Sequence, residues 1–463
     1  MEPNEGNMKG AWEPEPISTG LDRIARLAQQ RPEMAFTSLN HVLDLPLLEA
    51  SYRKVNRKGA SGVDGMTAHT YEKNLGANLA DLLERAKSGR YRAPPVKRVH
   101  IPKGRGPETR AIGVPTLEDR ILQRAVATIL EQIYEQDFLP CSYGFRPGRS
   151  AHDAIEEVWQ RTMRMRGCWL VEVDIQRFFD MLDHGHLRAM LDERIRDGVL
   201  RRLIHKWLHA GVMEAGNITY PSSGTPQGGV ISPLLANLYL HVVLDRWFVR
   251  EVVPRMKGPC YLVRYADDLV MGFTHEGDAR KVLDVLAKRF GKYGLSLHPE
   301  KTKLVDFRQP GGRPDRGRTS GPPELARSFD FLGFTHIWGR SRKGAAVVTR
   351  RTSKSRFTRS MHALRDWCRM NRHRRVKHQA ADLAVKLTGH YQYFGITGNY
   401  CRLAAFRTQV ERIWRYWLNR RSQRRSMPWE RFKRLLKRYP LPIAKVVHSV
   451  FRDRQGVLPF TAK

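Results

Sequence analysis

The spacing of apolar residues along this chain changes several times, and each change marks an expected element. Between Leu21 and Leu48 they recur at threes and fours, as Leu21, Ile24, Ala25 and Leu27 and then Phe36, Leu39, Val42 and Leu43. That spacing predicts two short helices. A basic helix carrying Arg53 and Lys54 follows, running into a loop punctuated by Gly59, Gly62 and Gly65. Residues 96–115 read as two strands around a tip rich in Gly and Pro, a hairpin from which Lys103 and Arg110 project. Leu117, Ile121, Leu122, Ala125, Ile129, Leu130 and Ile133 form one helical stripe, read as core with no functional role. Residues 142–150, Ser-Tyr-Gly-Phe-Arg-Pro-Gly-Arg-Ser, read as a turn leading to a helix at about Ala151. An apolar strand ends at Asp174, helices cover roughly 186–209, and 234–240 is a buried helix. Two short strands then flank an acidic pair at 267–268, followed by a helix over 279–293, a loop and strand to 303, and a strand over 329–334. From about Arg350 the pattern is helical, with basic and aromatic faces together. Residues 1–18 are expected to form a disordered leader, and 309–324 a flexible insertion.

Composition narrows the class. A chain of 463 residues, 41% apolar and 27% charged, has room for two to four structural units and reads as soluble and globular. Its net charge of +35 calls for a polyanionic partner, nucleic acid before an anionic membrane surface. From Arg340 to the end there are 32 Lys and Arg against 5 acids, so the backbone-gripping surface is expected at the C-terminal end. The five cysteines are scattered without a Cys-x-x-Cys pair, which argues against a disulfide scaffold or a zinc site and fits a reducing compartment. No apolar run is long enough for a membrane span, and the acidic, Pro-containing N-terminus is unlike a targeting peptide. A bacterial cytoplasmic protein, associated with the nucleoid, is the expectation.

The chemistry concentrates at Arg264-Tyr265-Ala266-Asp267-Asp268-Leu269. Two carboxylates at a tight turn repel unless a cation lies between them, and a hard divalent ion suits carboxylate and phosphate oxygens. Such pairs more often cap helices or sit in solvated turns. A third carboxylate, Asp174, at the end of Val171-Glu172-Val173, changes that balance. Three acids on adjacent strands could hold two Mg²⁺ ions about 3.5–4 Å apart, the arrangement for in-line phosphoryl or nucleotidyl transfer.

Asp174 followed by Phe178-Phe179, then Gly224-Thr225-Pro226-Gln227-Gly228-Gly229, then Tyr265-Ala266-Asp267-Asp268, is similar to the palm of reverse transcriptases. The wording around these motifs resembles the bacterial group II intron reverse transcriptase/maturase family, in unbroken order from about Leu48 to about His448. The resemblance implies an α+β right-hand polymerase, with fingers and palm of antiparallel sheet and helices followed by an all-helical thumb. The implied divisions are an N-terminal extension with the start of the fingers over 19–95, fingers and palm over 96–340, a thumb or maturase domain over 341–425, and a basic extension over 426–463 that could bind DNA. It implies that Asp174, Asp267 and Asp268, with the Ile175 carbonyl, bind two Mg²⁺ ions, Mn²⁺ being the alternative. Lys103 and Arg110 would grip the triphosphate, Phe179 would be a steric gate against the 2′-hydroxyl, Gln227 would meet the sugar or base edge, and Lys301 would aid the leaving pyrophosphate. Arg53 and Lys54 would lie along the template, Arg146 near it, and Arg374, Arg375, Arg420 and Arg421 on nucleic acid in the thumb. Phe178 reads as core, and Asp180 and Asp183 as structural or capping residues. The segment 329–334 resembles the primer grip, and Gly389-His390-Tyr391-Gln392-Tyr393-Phe394-Gly395 the thumb. The expected activity is RNA-directed DNA synthesis from dNTPs on an RNA template with a DNA primer. Folding of a group II intron RNA for splicing and copying at a target DNA would accompany it, with no endonuclease module of its own. An RNA-binding splicing factor with secondary polymerase activity, or a relative domesticated for DNA repair or phage defence, stay open alongside it.

Overall fold

The computed structural model describes residues 19–102, 109–214, 216–220, 223–225, 228–310, 328–341, 343–421 and 426–449. The leader expected at 1–18, most of the 309–324 insertion, Lys103 and Gln227 lie outside the described residues. Eleven strands occur among those described: β1 Val96–Pro102, β2 Thr109–Val114, β3 Gly167–Val173, β4 Val212–Glu214, β5 Asn217–Thr219, β6 Cys260–Tyr265, β7 Asp268–Phe273, β8 Lys303–Arg308, β9 Ser328–Phe331, β10 Phe334–Arg340 and β11 Ala346–Thr352. The chain divides into two discontinuous units, one of residues 1–140, 177–244 and 293–295, the other of 141–176, 245–292 and 296–463.

The first unit is mainly helical, with a sheet in the order β2-β1-β4-β5. The helix Leu117–Asp137 is its axis: Ile121, Leu122, Ala125, Ile129, Leu130 and Ile133 are fully buried, as the stripe predicts. Thr116 caps it and Glu118 and Asp119 fill its acidic first turn, complementing the helix dipole. The expected second helix over 36–43 is absent. Phe36, Leu39, Val42 and Leu43 are buried in turns between the helices Thr19–Gln30 and Leu45–Lys54. Buried Arg194 closes the end of the first helix, donating to the carbonyls of Ala28, Arg31, Pro32 and Met34 while its Nε meets Asp137 at 2.9 Å, and its own carbonyl accepts the Phe36 N–H at 2.7 Å. Asp197 adds its carboxylate to the N–H groups of Leu39 and Asn40. These polar anchors satisfy backbone groups that a helix would otherwise pair internally.

The second unit holds two sheets, β6-β7-β3-β8 and β11-β10-β9, both antiparallel throughout. The helices Ala151–Arg164 and Glu276–Lys292 pack against the first sheet. Strand alternation puts Cys168, Leu170, Val263 and Val270 in a core shared with Val158, Phe307, Phe334 and the C-terminal helices. Region 341–425 is not all helical, since it opens with β11. Helices follow at Lys354–Met370, Val376–Phe394 and Tyr400–Asn419, then Trp429–Arg438 in the extension. The expected strand 329–334 is instead a hairpin. Phe331 pairs with Phe334 around Leu332 and Gly333, both at positive φ (49° and 82°). No helix among the described residues is long and apolar enough to cross a membrane.

Candidate active site

β3 and β7 pair as Val171–Met271, Glu172–Val270 and Val173–Leu269, so the next step of the register sets Asp174 opposite Asp268. Glu172 and Asp174 share one face of β3, and Val270 and Asp268 share that same face of β7. Asp267 lies in the two-residue turn joining β6 to β7, beside Ala266, whose φ of 55° is in the left-handed region. Like charges directly opposite one another are destabilising, and a cation removes that penalty. Antiparallel contacts to residues 296–298 hold the other side of Asp174: the His298 N–H donates to its carbonyl at 2.8 Å, and Gln176 N–H to Ser296 O at 2.9 Å. Between them Ile175 faces Leu297 in a bridge whose hydrogen bonds belong to its neighbours, which turns the Ile175 carbonyl away from that strand.

Lys301 reaches this cluster, with Nζ 3.4 Å from Asp174 Oδ2. Among the described residues no three His, Cys, Asp or Glu side chains converge to metal-binding distance. The donor chemistry nevertheless fits a hard divalent ion: carboxylates at two strand ends and a turn, and a backbone carbonyl beside them. Glu172, one pleat back from Asp174, accepts the Asp330 N–H at 3.0 Å, and burial pushes its carboxyl up to about 7.

The acidic turn stands on a buried base that the sequence reading did not single out. Arg264 is fully buried and forms a two-pronged ion pair with Asp245 (Nε–Oδ1 2.8 Å, Nη2–Oδ2 2.5 Å). Its Nη2 also donates to Ser142 Oγ at 2.7 Å, and its Nη1 to the Ala266 carbonyl at 3.1 Å. Burial opposes the guanidinium charge, but Asp245 outweighs it and leaves the group firmly protonated. The signal in the sequence was a lone charge directly after the apolar run Cys260–Val263 and inside the strand, since an interior charge needs a partner. Segment 141–144 runs alongside this edge, Arg264 N–H donating to Cys141 O and Tyr143 N–H to Arg264 O, each at 2.8 Å. A Cβ on Gly144 would lie 2.4 Å from the Ala266 nitrogen, so only glycine lets the loop touch the turn.

Arg146, expected on nucleic acid, is 8% exposed and donates to Ser142 O at 2.9 Å. Its charge braces the loop from within. Arg374 pairs with Asp382 at 2.7 Å, so part of its charge is met within the C-terminal helices. Arg375 is exposed, Arg420 lies over the Tyr416 ring at 4.2 Å, and Arg421 reaches the His373 carbonyl at 3.4 Å. Tyr393 donates through its hydroxyl to Leu332 O at 2.9 Å, tying the helix Val376–Phe394 to the β9–β10 turn.

In the first unit, Phe178 is buried and Phe179 half-buried, at the start of a short helix; Asp183 caps the next helix through His186 N–H. The Phe179 carbonyl accepts the Thr225 N–H at 2.8 Å, so the aromatic pair and the Gly-Thr-Pro-Gln-Gly-Gly loop are joined. Gln123 accepts the Val230 N–H at 2.8 Å on the loop's other side, giving the 117–137 helix a supporting role beyond core. Arg110 is exposed on β2, paired with Ile101, and Arg53 and Lys54 are exposed in the last turn of Leu45–Lys54.

Residues 101–336 match the family model described as reverse transcriptase (RNA-dependent DNA polymerase). The chain is similar to protein YkfC of Escherichia coli K12, 33% identical over 372 residues, covering 72% of this chain and 91% of that protein. It is 37% identical over 237 residues to the group II intron-encoded protein LtrA of Lactococcus lactis, covering 51% of this chain and 39% of LtrA. A 91 kDa protein in the cob intron of Schizosaccharomyces pombe is 30% identical over 359 residues, covering 65% of this chain and 44% of that protein. The chain thus spans less than half the length of the last two.

Proposed function

This chain belongs to the reverse transcriptase (RNA-dependent DNA polymerase) family, and on that premise we propose that it is encoded by a group II intron, copying RNA into DNA and binding its intron RNA to assist splicing and mobility. The polymerase activity is that of an RNA-directed DNA polymerase. The observation that carries the reading is the β3–β7 register, which sets Asp174 opposite Asp268 with Asp267 in the adjoining turn.

The family generally uses divalent metal ions, and here Asp174, Asp267, Asp268 and the Ile175 carbonyl would hold two, Mg²⁺ by preference and Mn²⁺ as substitute. When bound, the pair supplies charge neutralisation at the attacking 3′-oxygen and at the leaving pyrophosphate. The chain's own residues do the rest. Lys103 and Arg110 hold the triphosphate, and Gln227 meets the nucleotide's sugar or base edge. The Phe179 ring excludes a 2′-hydroxyl, which selects dNTPs. Lys301 gives a proton to the departing pyrophosphate, a role supported by its 3.4 Å approach to Asp174. Arg53 and Lys54 follow the template; Arg375, Arg420 and Arg421 hold phosphates of intron RNA, template–primer and target DNA. Base pairing, not side chains, supplies the sequence read during copying.

Primer extension on an RNA template with Mg²⁺ and dNTPs tests this, with wild type beside the Asp267→Ala/Asp268→Ala double variant. Extension by wild type alone, with RNA binding intact in both, is expected. Extension by the double variant would remove the site assignment. Failure of both to extend while RNA stays tightly bound would favour a splicing factor.

A further inference from the structure

We propose that Phe145 is a contact for the template–primer duplex, its ring packing on the base and sugar faces of the strand at the acidic turn. The proposal rests on the polymerase reading above.

Phe145 is 59% exposed, although its neighbours Tyr143, Gly144 and Arg146 are buried. Its φ is 59°, in the left-handed region, where a bulky residue with a Cβ is a true outlier. Strain of this kind persists only where the surroundings over-determine the backbone, and it gathers at functional sites. Both conditions hold. On one side the loop is fixed by the Ser142–Arg264 bridge, by Gly144 against Ala266, and by Arg146 on Ser142 O. On the other side Ser150 and Asp153 form a capping box that starts the helix Ala151–Arg164. Of the three other non-glycine residues of this unit at positive φ, Ala266 and Leu332 lie in the acidic turn and the β9–β10 turn, and Arg166 just before β3.

A phenylalanine at this point buries little of its ring within the protein and burdens its own backbone, so its contact lies outside the chain. The loop touches the turn that carries Asp267, which places the ring beside the reacting end of any bound duplex. Exposed Arg149, stacked over Tyr143 at 5.2 Å, supplies a cation on the same loop for a phosphate. Aromatic rings accept every base or sugar alike, as a polymerase indifferent to sequence requires.

The test measures binding of a fluorescein-labelled RNA template–DNA primer by anisotropy, with melting temperatures, for Phe145→Ala, Phe145→Gly and Phe145→Tyr. Ala and Gly are expected to weaken template–primer binding about tenfold, with Tyr close to wild type. Phe145→Gly is expected to melt at or above the wild-type temperature, because glycine relieves the strain. The KM for dNTP at saturating template–primer stays unchanged. Wild-type affinity in the Ala and Gly variants, or a loss that tracks a fall in melting temperature, overturns the proposal. Wild-type extension run alongside separates the two readings: if wild type does not extend, the polymerase reading fails; if it extends while the variants bind normally, only the Phe145 contact fails.

Discussion

Arg264 carries the acidic turn on its guanidinium, and the way it does so sets what its loss would cost. Removing it strands Asp245 as a fully buried, unpaired carboxylate, a change that typically costs about 3–5 kcal/mol. Arg264→Met should therefore lower stability by about that amount in urea unfolding, and Arg264→Met/Asp245→Leu should recover most of it. A loss under about 1 kcal/mol for the single variant would contradict a dry ion pair. Phe179 sits at the other extreme, half-buried, with a proposed role that is steric. Phe179→Ala should cut discrimination between dNTP and NTP about tenfold or more, since removing a wall of a pocket is worth that much. Competing single-nucleotide incorporation measures it, and an unchanged ratio rejects the gate. At this scale the sequence displayed the acids and hid the directions of the arginines. Asp174 and Asp267–Asp268 end apolar runs and are visible in any strand reading. Whether Arg146 points outward or back to Ser142 depends on a loop bent against β6, which local pattern does not record.

Elements were legible where the period was long and hidden where tertiary partners set the backbone. The 117–137 helix and the β6–β7 hairpin follow their stripes closely. The 36–43 segment mimics helical spacing, but the Arg194 carbonyl accepts the Phe36 N–H and the Asp197 carboxylate accepts those of Leu39 and Asn40 instead. The β9–β10 turn escaped notice because two-residue hairpin turns usually announce themselves as Asn-Gly or Asp-Gly, and here the first position is Leu332. The Gly-Thr-Pro-Gln-Gly-Gly loop offers a test of how elements are fitted. A Cβ on Gly228, at φ 115°, would lie 2.2 Å from the Gly113 carbonyl of β2. Gly228→Ala must displace the loop, and the expected result is a raised KM for dNTP and reduced kcat with template–primer binding retained; unaltered kinetics would mean the loop adapts. The β9–β10–β11 sheet has a pH dependence of its own. His336 on β10 is fully buried, stacked on Phe329 at 4.4 Å and paired in register with Arg350 of β11. Burial, with Arg350 adding to it, pushes its pKa down to about 3, and burial takes His390 of the helix Val376–Phe394 to about 4. Each folded value lies below the unfolded one, so the stability these groups allow is full above about 6.5 and falls as pH drops toward 3–4. Unfolding midpoints in urea should fall from pH 7 to pH 5, and less steeply in His336→Phe. Equal slopes in the two proteins would assign the acid sensitivity elsewhere.

Across the whole molecule the dominant quantity is charge, +35 in all, with 32 Lys and Arg against 5 acids beyond residue 339. A compact state with so much charge of one sign repels itself, and a polyanion relieves that repulsion while releasing its counterions. The affinity for RNA should therefore depend on salt far more than on sequence. If six to ten phosphates are neutralised, binding falls by about 10³–10⁵ between 50 and 200 mM salt, linearly on a log–log plot. The structure also ranks the contributors. Arg375 is exposed at the start of the helix Val376–Phe394, and Arg420 is held over Tyr416, so each replacement by Gln should reduce the slope by about 1. Arg374 already meets Asp382, and Arg374→Gln should change the slope less, since part of its charge is spent within the protein. Titrating labelled RNA at several salt concentrations measures all three. A flat plot for wild type would refute phosphate binding by the basic C-terminal region. Equal effects of Arg374 and Arg375 would show that Asp382 releases its partner when RNA arrives.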